Sequence, residues 1–433
     1  MECISPRMSD TLAILVGGGP APGINGVIAS ATIEAINCGL RVTGIYDGYR
    51  DLAAGTPPKT IELSIDYVAQ NNTRGGSILR TSRTNPAKDE QTLENCVRSL
   101  ETLGIRYLIC IGGDDTTFGA TRIAERTQGR IGVCTVPKTI DNDLPLPENA
   151  PTFGFETARS VGAQLIESLI EDARTTVRWY IVVSMGRKSG ALALGMCKSA
   201  GATLAVIPEE FPEHELDLDL VIDTIVGAIV KRRSQGRDYG VAVVAEGIIE
   251  RVSAEALDSL ENVERDAYGH VRLADVPIGT LLRDGVRRRL QELGLQTTVL
   301  TKDIGYELRC ARPVPFDLDY TRTLGYGAVR YLLSGKSGSL IALSGGRLHP
   351  LRLDELLDPA TGRIRTRLVD VHAEAYAVAR DYMVRLGPED LEQPNILRLA
   401  EQTNLSAETF ASTFKRSASI GVPPNASSMG DST

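Results

Sequence analysis

Short apolar runs alternate along this chain with longer stretches in which apolar residues recur at helical spacing. Helical spacing is clearest over residues 218–233 and 367–387. Runs rich in β-branched residues predict strands at TLAILV (11–16), YLICI (107–111), IGVCTV (131–136), WYIVVSM (179–185), TLAVI (203–207), YGVAVVA (239–245) and SLIALS (339–344). Because parallel strands need crossover connections that are usually helical, the alternation predicts an α/β fold with parallel sheets flanked by helices.

The two ends of the chain lack this alternation. Residues 412–433 are rich in Ser, Pro and Gly with few large apolar side chains, which predicts a disordered tail. Residues 1–9 are predicted to be a short N-terminal tail without the apolar core of a signal peptide. The segment 250–300 is charged and carries no motif, so a surface excursion and an insertion used in assembly both stay open.

Length and composition exclude several classes of protein. A chain of 433 residues with 42% hydrophobic content can form two domains with buried cores. With 47 basic and 55 acidic residues the net charge is −8, and no Lys/Arg run with interleaved aromatics is present, so nucleic acid is not expected as a partner. No apolar run approaches the ~20 residues that span a bilayer, so no membrane association is expected.

The seven cysteines are scattered, odd in number and never spaced as C-x-x-C. This pattern indicates neither a disulfide framework nor a zinc site, and we expect a cytoplasmic protein.

Ligands of open parallel sheets bind at the carboxyl ends of strands, so the residues after each apolar run matter most. GGGPAPGIN (17–25) follows the first run, and its glycines would let the backbone approach a phosphate at the start of a helix. The motif is neither a Walker A loop nor a G-x-G-x-x-G fingerprint, because Pro22 stands at the third glycine position. From this motif alone, a structural turn and a phosphate site are equally open.

The stretch IGGDD (111–115) places two carboxylates where a strand becomes a helix. They are interpreted either as acidic residues favoured by the helix dipole or, for Asp114, as a ligand of Mg²⁺, which usually takes one or two carboxylates together with phosphate oxygens. Under the second interpretation, Asp115 needs a separate explanation.

The stretch VPKTIDNDLP (136–145) holds Asp141 and Asp143 in a loop bounded by prolines. A carboxylate base beside Lys138 and Thr139 suits phosphoryl transfer, which depends on positioning and electrostatics. A turn stabilised by Asx hydrogen bonds is the alternative.

Charged and aromatic side chains lie at or near the remaining strand ends: Arg178, Arg187, Glu246, Tyr306 and Arg309. Several arginines in an acidic protein indicate an anionic ligand, because guanidinium binds phosphate in a bidentate manner.

Five motifs in order, GGGPAPGIN, GGDD, PKTIDND, MGR and GYELR, make residues from about 10 to 345 resemble the phosphofructokinase family, and within it the diphosphate-dependent branch. The resemblance implies two Rossmann-like parallel-sheet α/β domains with the active site in the cleft between them. It places a phosphoryl-donor domain at 10–153 and a sugar-phosphate domain at 154–310. Residues 311–411 would return to the first domain and add C-terminal helices.

The resemblance also assigns roles to individual residues. Asp141 would be the general base that takes the proton from the C1 hydroxyl of fructose 6-phosphate, and Asp114 would carry Mg²⁺. The catalytic set is Asp141, Arg187, Lys138 and Thr139. The donor-binding set is Gly18, Gly19, Arg83, Gly113, Asp115 and Lys138. The sugar-phosphate set is Thr139, Asp141, Asp143, Arg178, Met185, Gly186, Arg187, Glu246, Tyr306 and Arg309. Arg178 matches a position that reaches a neighbouring subunit, which implies a homodimer or homotetramer.

The second aspartate and the lysine predict the choice of donor. ATP-using members of the family have glycine where Asp115 stands and a small residue where Lys138 stands. Asp115 would oppose a nucleotide's α-phosphate, since like charges ~4 Å apart cost ~1 kcal/mol in water and more at lower dielectric. Lys138 would supply a cation to a short donor. Tyr306 replaces the histidine of bacterial ATP enzymes and is common in diphosphate enzymes.

The predicted activity is reversible, Mg²⁺-dependent phosphoryl transfer from diphosphate to fructose 6-phosphate, giving fructose 1,6-bisphosphate and phosphate, a step of glycolysis and gluconeogenesis. Two alternatives are an ATP-dependent 6-phosphofructokinase and a catalytically silent sugar-phosphate-binding subunit. The range of sugar phosphates, sedoheptulose 7-phosphate included, stays open.

Overall fold

A computed structural model describes residues 10–211, 216–252, 276–360 and 364–422. The chain divides into two units. Unit 1 takes the residues up to Ala158 and Tyr306–Arg367, and unit 2 takes Arg159–Gly305 and the residues from Leu368 onwards. The sequence places these edges at 153 and 310. Tyr306 and Arg309, which the expected sugar-phosphate domain 154–310 includes, therefore lie in unit 1, and the C-terminal helices lie in unit 2.

Each of the seven apolar runs forms a strand, as predicted, and the described residues contain four further strands that were not predicted. In chain order the strands are β1 (Thr11–Val16), β2 (Arg41–Ile45), β3 (Thr60–Glu62), β4 (Ile105–Gly112), β5 (Gly132–Pro137), β6 (Trp179–Ser184), β7 (Leu204–Val206), β8 (Gly240–Ala245), β9 (Val299–Ile304), β10 (Ser339–Ser344) and β11 (Arg347–Arg352).

Unit 1 contains a seven-stranded sheet in the order β11-β10-β5-β4-β1-β2-β3. It is parallel except at its edges, where β11 and β3 pair antiparallel with β10 and β2. β1 is buried along its whole length because helices cover both faces, which explains why it is apolar throughout. The α-helices are Ile24–Asn37, Arg50–Ala54, Ile65–Ala69, Glu90–Thr102, Asp114–Thr127, Tyr306–Arg309, Pro315–Leu333 and Leu353–Leu356, with a 3₁₀ turn at Pro147–Asn149.

Unit 2 contains a four-stranded parallel sheet in the order β7-β8-β6-β9. The helix Phe155–Thr176 begins in unit 1 and continues into unit 2. The other α-helices of unit 2 are Ala191–Ala200, Leu218–Ser234, Ile278–Glu292, Glu374–Asp381, Asn395–Ala400 and Ala407–Ala418, and 3₁₀ turns lie at Pro208–Glu210, Glu246–Arg251 and Pro388–Leu391. In the part of the chain that the structure describes, no helix is both long and apolar enough to cross a bilayer.

The predicted disordered tail is wrong for its first residues, because Ala407–Ala418 is a helix. Ser406 caps this helix by accepting a hydrogen bond from Thr409 N, and Phe410 and Phe414 are fully buried on one face. Two aromatic side chains four positions apart stabilise the helix by packing, which a reading of overall composition overlooks. The rest of the predicted tail from residue 423, and the N-terminal tail 1–9, lie outside the described residues.

The predicted helical segment 367–387 is mostly wrong, since only Glu374–Asp381 is an α-helix. Tertiary contacts hold the rest in other conformations: Val384 N donates to Thr203 O at 2.8 Å, and the buried Arg385 pairs with Glu210 at 2.5 Å.

Of the segment 250–300, residues 253–275 lie outside the described part, and the remainder includes the helix Ile278–Glu292.

Candidate active site

Three of the strand ends that carry candidate site residues lie at one edge of the unit 1 sheet. β1, β4 and β5 are parallel neighbours, so their carboxyl ends are adjacent. Residues 17–19, 113–115 and 138–143 follow these three strands. The glycine loop, the paired aspartates and the expected base loop are therefore brought together by the sheet.

The glycine loop is fixed by its backbone hydrogen bonds. Gly17 N donates to Ile111 O at 2.9 Å, and Gly18 N donates to Ser82 O at 2.8 Å. Gly18 has φ +78°, the left-handed region that glycine adopts without steric cost. The exposed Arg83 follows Ser82 in sequence and therefore lies next to the residue whose carbonyl binds Gly18 N.

Two cations flank the glycine loop. The buried Lys138 donates from Nζ to Gly19 O, and a Cβ added at Gly18 would lie 3.3 Å from that Nζ. A Cβ added at Gly19 would lie 3.4 Å from Arg309 Cζ, and the Arg309 guanidinium lies 5.0 Å from the centre of the exposed Tyr306 ring. Glycines leave the backbone open here while the neighbouring side chains supply positive charge, which is the environment that binds phosphate.

The paired aspartates begin a helix, as the sequence predicts. Gly113 is the N-cap of Asp114–Thr127, so both carboxylates lie in the first turn, and both side chains are exposed. Thr116 packs against the glycines that end the neighbouring strands, since a Cβ at Gly17 or Gly112 would overlap its side chain.

The carboxylate available as a metal ligand at this strand end fits a magnesium ion. In the described ranges, no group of three or more His, Cys, Asp or Glu side chains is arranged to hold a metal. Mg²⁺ typically uses one or two carboxylates and takes its remaining ligands from substrate phosphates and water. An exposed aspartate beside a glycine loop flanked by cations meets that requirement.

The expected base loop is held from within. Asp141 is 7% exposed, and its backbone N donates to Thr139 Oγ1 at 3.0 Å. Thr152 donates from Oγ1 to Thr139 O at 2.8 Å and from its backbone N to Asn142 Oδ1 at 3.1 Å. Asn142 has φ +57°, a left-handed conformation that asparagine tolerates better than most residues, and Asp143 is half-buried. The carboxylate of Asp141 therefore lies on a turn with defined geometry.

Sequence reasoning missed Arg367, which holds the same turn from outside. Its Nε donates to Asn142 O at 2.9 Å, its Nη1 donates to Ala150 O at 2.8 Å, and its Nη2 donates to Asn142 Oδ1. Its backbone N donates to Asp143 O at 2.7 Å. Burial lowers the pKa of Arg367 from its usual value. No local signal could have identified this residue, because it is 225 positions from Asn142.

Asn25, the last residue of the glycine motif, was also given no role from sequence. It is 1% exposed; its Nδ2 donates to Arg74 O at 3.0 Å and its Oδ1 accepts from Ile78 N at 2.9 Å. The available signal in the sequence was an asparagine at the end of a glycine-rich motif. The Asn25 side chain fixes the loop that leads to Ser82.

In unit 2 the residues after β6 form a tight turn around one carboxylate. Glu246 Oε1 accepts from Gly186 N at 3.0 Å and from Arg187 N at 2.8 Å. Arg187 is exposed and has φ +50°, and Met185 N donates to Ile304 O at 3.1 Å. The structure therefore brings four predicted sugar-phosphate residues together: Met185, Gly186, Arg187 and Glu246.

Arg178 is not part of this group within the chain. It precedes β6, whereas the Met185–Arg187 turn follows it, and a strand of 6 residues separates them by ~20 Å. Its Nε lies 3.9 Å from Asp172 Oδ2, and the same carboxylate oxygen accepts from Tyr180 OH at 2.5 Å.

Comparisons with known proteins agree with this architecture. A protein of Thermotoga maritima named pyrophosphate–fructose 6-phosphate 1-phosphotransferase is 55% identical over 395 residues, which cover 90% of this chain and 94% of that protein. A protein of the same name from Naegleria fowleri is 47% identical over 422 residues, covering 95% and 97%. The crystal structure of a pyrophosphate-dependent phosphofructokinase from Marinobacter aquaeolei aligns with a TM-score of 0.64 at 17% identity, covering 86% of this chain and 90% of that one.

The structural likeness confirms the predicted fold of two Rossmann-like α/β domains. The family model described as phosphofructokinase matches residues 11–332, which include all five motifs. The chain belongs to the phosphofructokinase family.

Proposed function

We propose that this protein is an enzyme that transfers a phosphoryl group reversibly from diphosphate to the C1 hydroxyl of fructose 6-phosphate. The observation that carries the proposal is the pair of cations, Lys138 and Arg309, on either side of the open backbone at Gly18 and Gly19. The activity in the names of the Thermotoga maritima and Naegleria fowleri relatives supports it.

Lys138 and Asp115 support diphosphate as the donor. Lys138 is buried against the glycine loop, where its cation would balance the charge of a short donor. Asp115 is exposed in the first turn of the adjacent helix, where it would repel the additional phosphate of a nucleotide. Gly113 and Arg83 complete the proposed donor-binding set.

We propose that Asp114 holds Mg²⁺ together with the donor's phosphate oxygens. The ion would supply positive charge that stabilises the transferred group and the leaving phosphate. The exposed carboxylate at the carboxyl end of β4 supports this assignment.

In the proposed chemistry, Asp141 accepts the proton of the C1 hydroxyl as that oxygen forms a bond to the phosphorus of diphosphate. The bond between this phosphorus and the bridging oxygen breaks, and phosphate leaves. Lys138 and Arg187 would neutralise charge on the transferred oxygens. The hydrogen bond from Asp141 N to Thr139 Oγ1 supports a base of fixed orientation.

The remaining assignments concern the sugar phosphate and the assembly. We propose that the sugar phosphate is bound by Thr139, Asp143, Met185, Gly186, Arg187, Glu246, Tyr306 and Arg309. Arg178 would act in the pocket of a neighbouring subunit of a homodimer or homotetramer, which accords with its place at the opposite end of β6 from the Arg187 turn. A cytoplasmic location accords with the free state of all six cysteines in the described residues.

Initial rates test the proposal directly, with fructose 6-phosphate and Mg²⁺ and with diphosphate or ATP as donor in the same preparation. We expect turnover with diphosphate and little with ATP. A rate with ATP alone would overturn the assigned roles of Asp115 and Lys138, and no rate with either donor would favour a silent subunit.

Asp141→Ala should lower kcat by at least ~10² with little change in the KM for fructose 6-phosphate, because it removes the base and leaves the ligand contacts. Asp319→Ala, at an exposed position on the helix Pro315–Leu333, is the matched control. A near-normal kcat for Asp141→Ala would exclude this residue as the base.

A further inference from the structure

We infer that Arg367 is a positioning residue for the Asp141 base, an inference that rests on the proposed function. Most of the proposed donor-binding and catalytic residues of unit 1 come from the strand ends near residues 17, 113 and 138, whereas Arg367 is the last residue of that unit. It acts on the turn that carries Asp141 rather than on a ligand.

The guanidinium of Arg367 forms hydrogen bonds with Asn142 in the base loop and with Ala150, which follows the loop in sequence. Nε and Nη2 bind the carbonyl and the side-chain oxygen of Asn142, the residue directly after Asp141, while Nη1 binds Ala150 O at 2.8 Å. The backbone N of Arg367 binds Asp143 O at 2.7 Å. Asn142 and Asp143 are thus fixed through their backbone carbonyls and through the Asn142 side chain.

The turn needs such support because Asn142 is in the left-handed region, with φ +57°. A residue in this region persists only where its surroundings hold it there. Thr152 N contributes one hydrogen bond to Asn142 Oδ1, and Arg367 contributes the others that the structure shows on this residue. If the turn relaxes, the Asp141 carboxylate moves relative to the hydroxyl that it must deprotonate.

Arginine suits this task better than lysine. The planar guanidinium carries five N–H donors in a fixed fork, so it can bind several carbonyl oxygens at once. A lysine ammonium at the same position keeps the charge but cannot reproduce the three side-chain contacts to Asn142 and Ala150. Arg367→Lys therefore separates loss of positioning from loss of charge.

The experiment compares Arg367→Lys with Arg365→Lys. Arg365 is exposed, and its side chain donates to Glu355 O at 2.6 Å, away from the base loop. We expect Arg367→Lys to lower kcat about 10- to 100-fold, because a displacement of ~1 Å at a reacting group can cost ~10²-fold. The KM values for diphosphate and fructose 6-phosphate should stay within about 3-fold, and Arg365→Lys should match the wild type.

A double mutant distinguishes positioning from general loss of structure. If Arg367 acts through Asp141, Arg367→Lys should have little further effect on kcat in an Asp141→Ala background. Independent multiplication of the two losses would overturn the inference, as would a wild-type kcat for Arg367→Lys alone.

Hydrogen exchange tests the contact without depending on turnover, so failure of the proposed function can be told apart from failure of this inference. The backbone amides of Asp141 and Thr152 should exchange faster in Arg367→Lys than in Arg365→Lys, because the Asp141 amide lies in the turn that Arg367 holds and the Thr152 amide donates to Asn142 Oδ1 in that turn. Unchanged protection would show that the turn does not need Arg367.

Discussion

Replacing Glu246 with alanine removes the carboxylate oxygen around which the Gly186–Arg187 turn is built. Oε1 accepts from Gly186 N at 3.0 Å and from Arg187 N at 2.8 Å. Arg187 has φ +50°, which a non-glycine residue adopts only at a cost of ~1–2 kcal/mol. Without the Glu246 carboxylate, the turn loses the hydrogen bonds that offset this cost, and the orientation of the Arg187 side chain is no longer fixed.

The expected magnitude follows from the two amides. Gly186 is buried, so its unsatisfied N–H costs ~1–3 kcal/mol, whereas Arg187 is exposed and water can replace most of its bond, leaving up to ~1 kcal/mol. Together these contributions amount to ~1–4 kcal/mol in sugar-phosphate recognition, which lowers kcat/KM by about 5- to 700-fold. Glu246→Gln keeps an oxygen acceptor without the charge, so about half of this free energy and a loss of about 2- to 30-fold are expected.

Initial rates at saturating diphosphate and Mg²⁺, with fructose 6-phosphate varied, measure this loss. Glu250→Ala is the matched control, since Glu250 is exposed in the same 3₁₀ segment and lies four positions further along the chain. The ordering wild type, Glu246→Gln, Glu246→Ala is required by the reasoning. A kcat/KM for Glu246→Ala within about 3-fold of the Glu250→Ala value would refute the role of this carboxylate in holding the turn.

Three further predictions concern the donor, the thiols and the C-terminal helix. Asp115→Gly should raise kcat/KM with ATP by at least ~5-fold, because one unfavourable charge pair of ~1 kcal/mol or more is removed; rates with ATP and diphosphate check it, and an unchanged ratio contradicts it. At pH 8 an alkylating reagent should modify the exposed Cys310 and leave Cys110 unmodified, since burial raises the pKa of the Cys110 thiol to about 12 and the thiolate is the reactive form; mass spectrometry before and after unfolding checks it. Phe414→Ala should lower the free energy of unfolding by ~3–5 kcal/mol, because a fully buried ring is lost, whereas the exposed Ser412→Ala should have little effect; denaturant unfolding measures both.

The strands at the centre of each sheet could be predicted from sequence because burial on both faces makes them apolar throughout. β1 and β8 are buried along their whole length, and their apolar runs give their bounds to within a residue. β11, with the sequence RLHPLR, escaped prediction because it is an exposed antiparallel edge strand and contains a proline. β9 escaped because its middle residues are polar and partly exposed.

The proximity of candidate residues could be predicted where they belong to one motif of the sequence. Lys138 and Asp141 belong to one such motif, and Gly18 and Gly19 belong to another. Contacts between distant parts of the chain were not predictable: nothing in the segment around Arg367 indicates that it would bind Asn142. The left-handed conformation of Arg187 was equally invisible, because it depends on Glu246, 59 positions away.

The division of unit 1 into two stretches of chain has a consequence for biosynthesis. β5 ends at Pro137, and its neighbour β10 begins at Ser339, about two hundred residues later. At ~5–20 residues per second, the ribosome exposes β5 some ~10–40 s before β10 emerges. During this time the open edge of β5 and the apolar face that the helix Pro315–Leu333 later covers are accessible to other nascent chains and to chaperones. Premature termination anywhere between these strands would release a unit 1 sheet with an unpaired inner strand, which favours aggregation or degradation over partial activity.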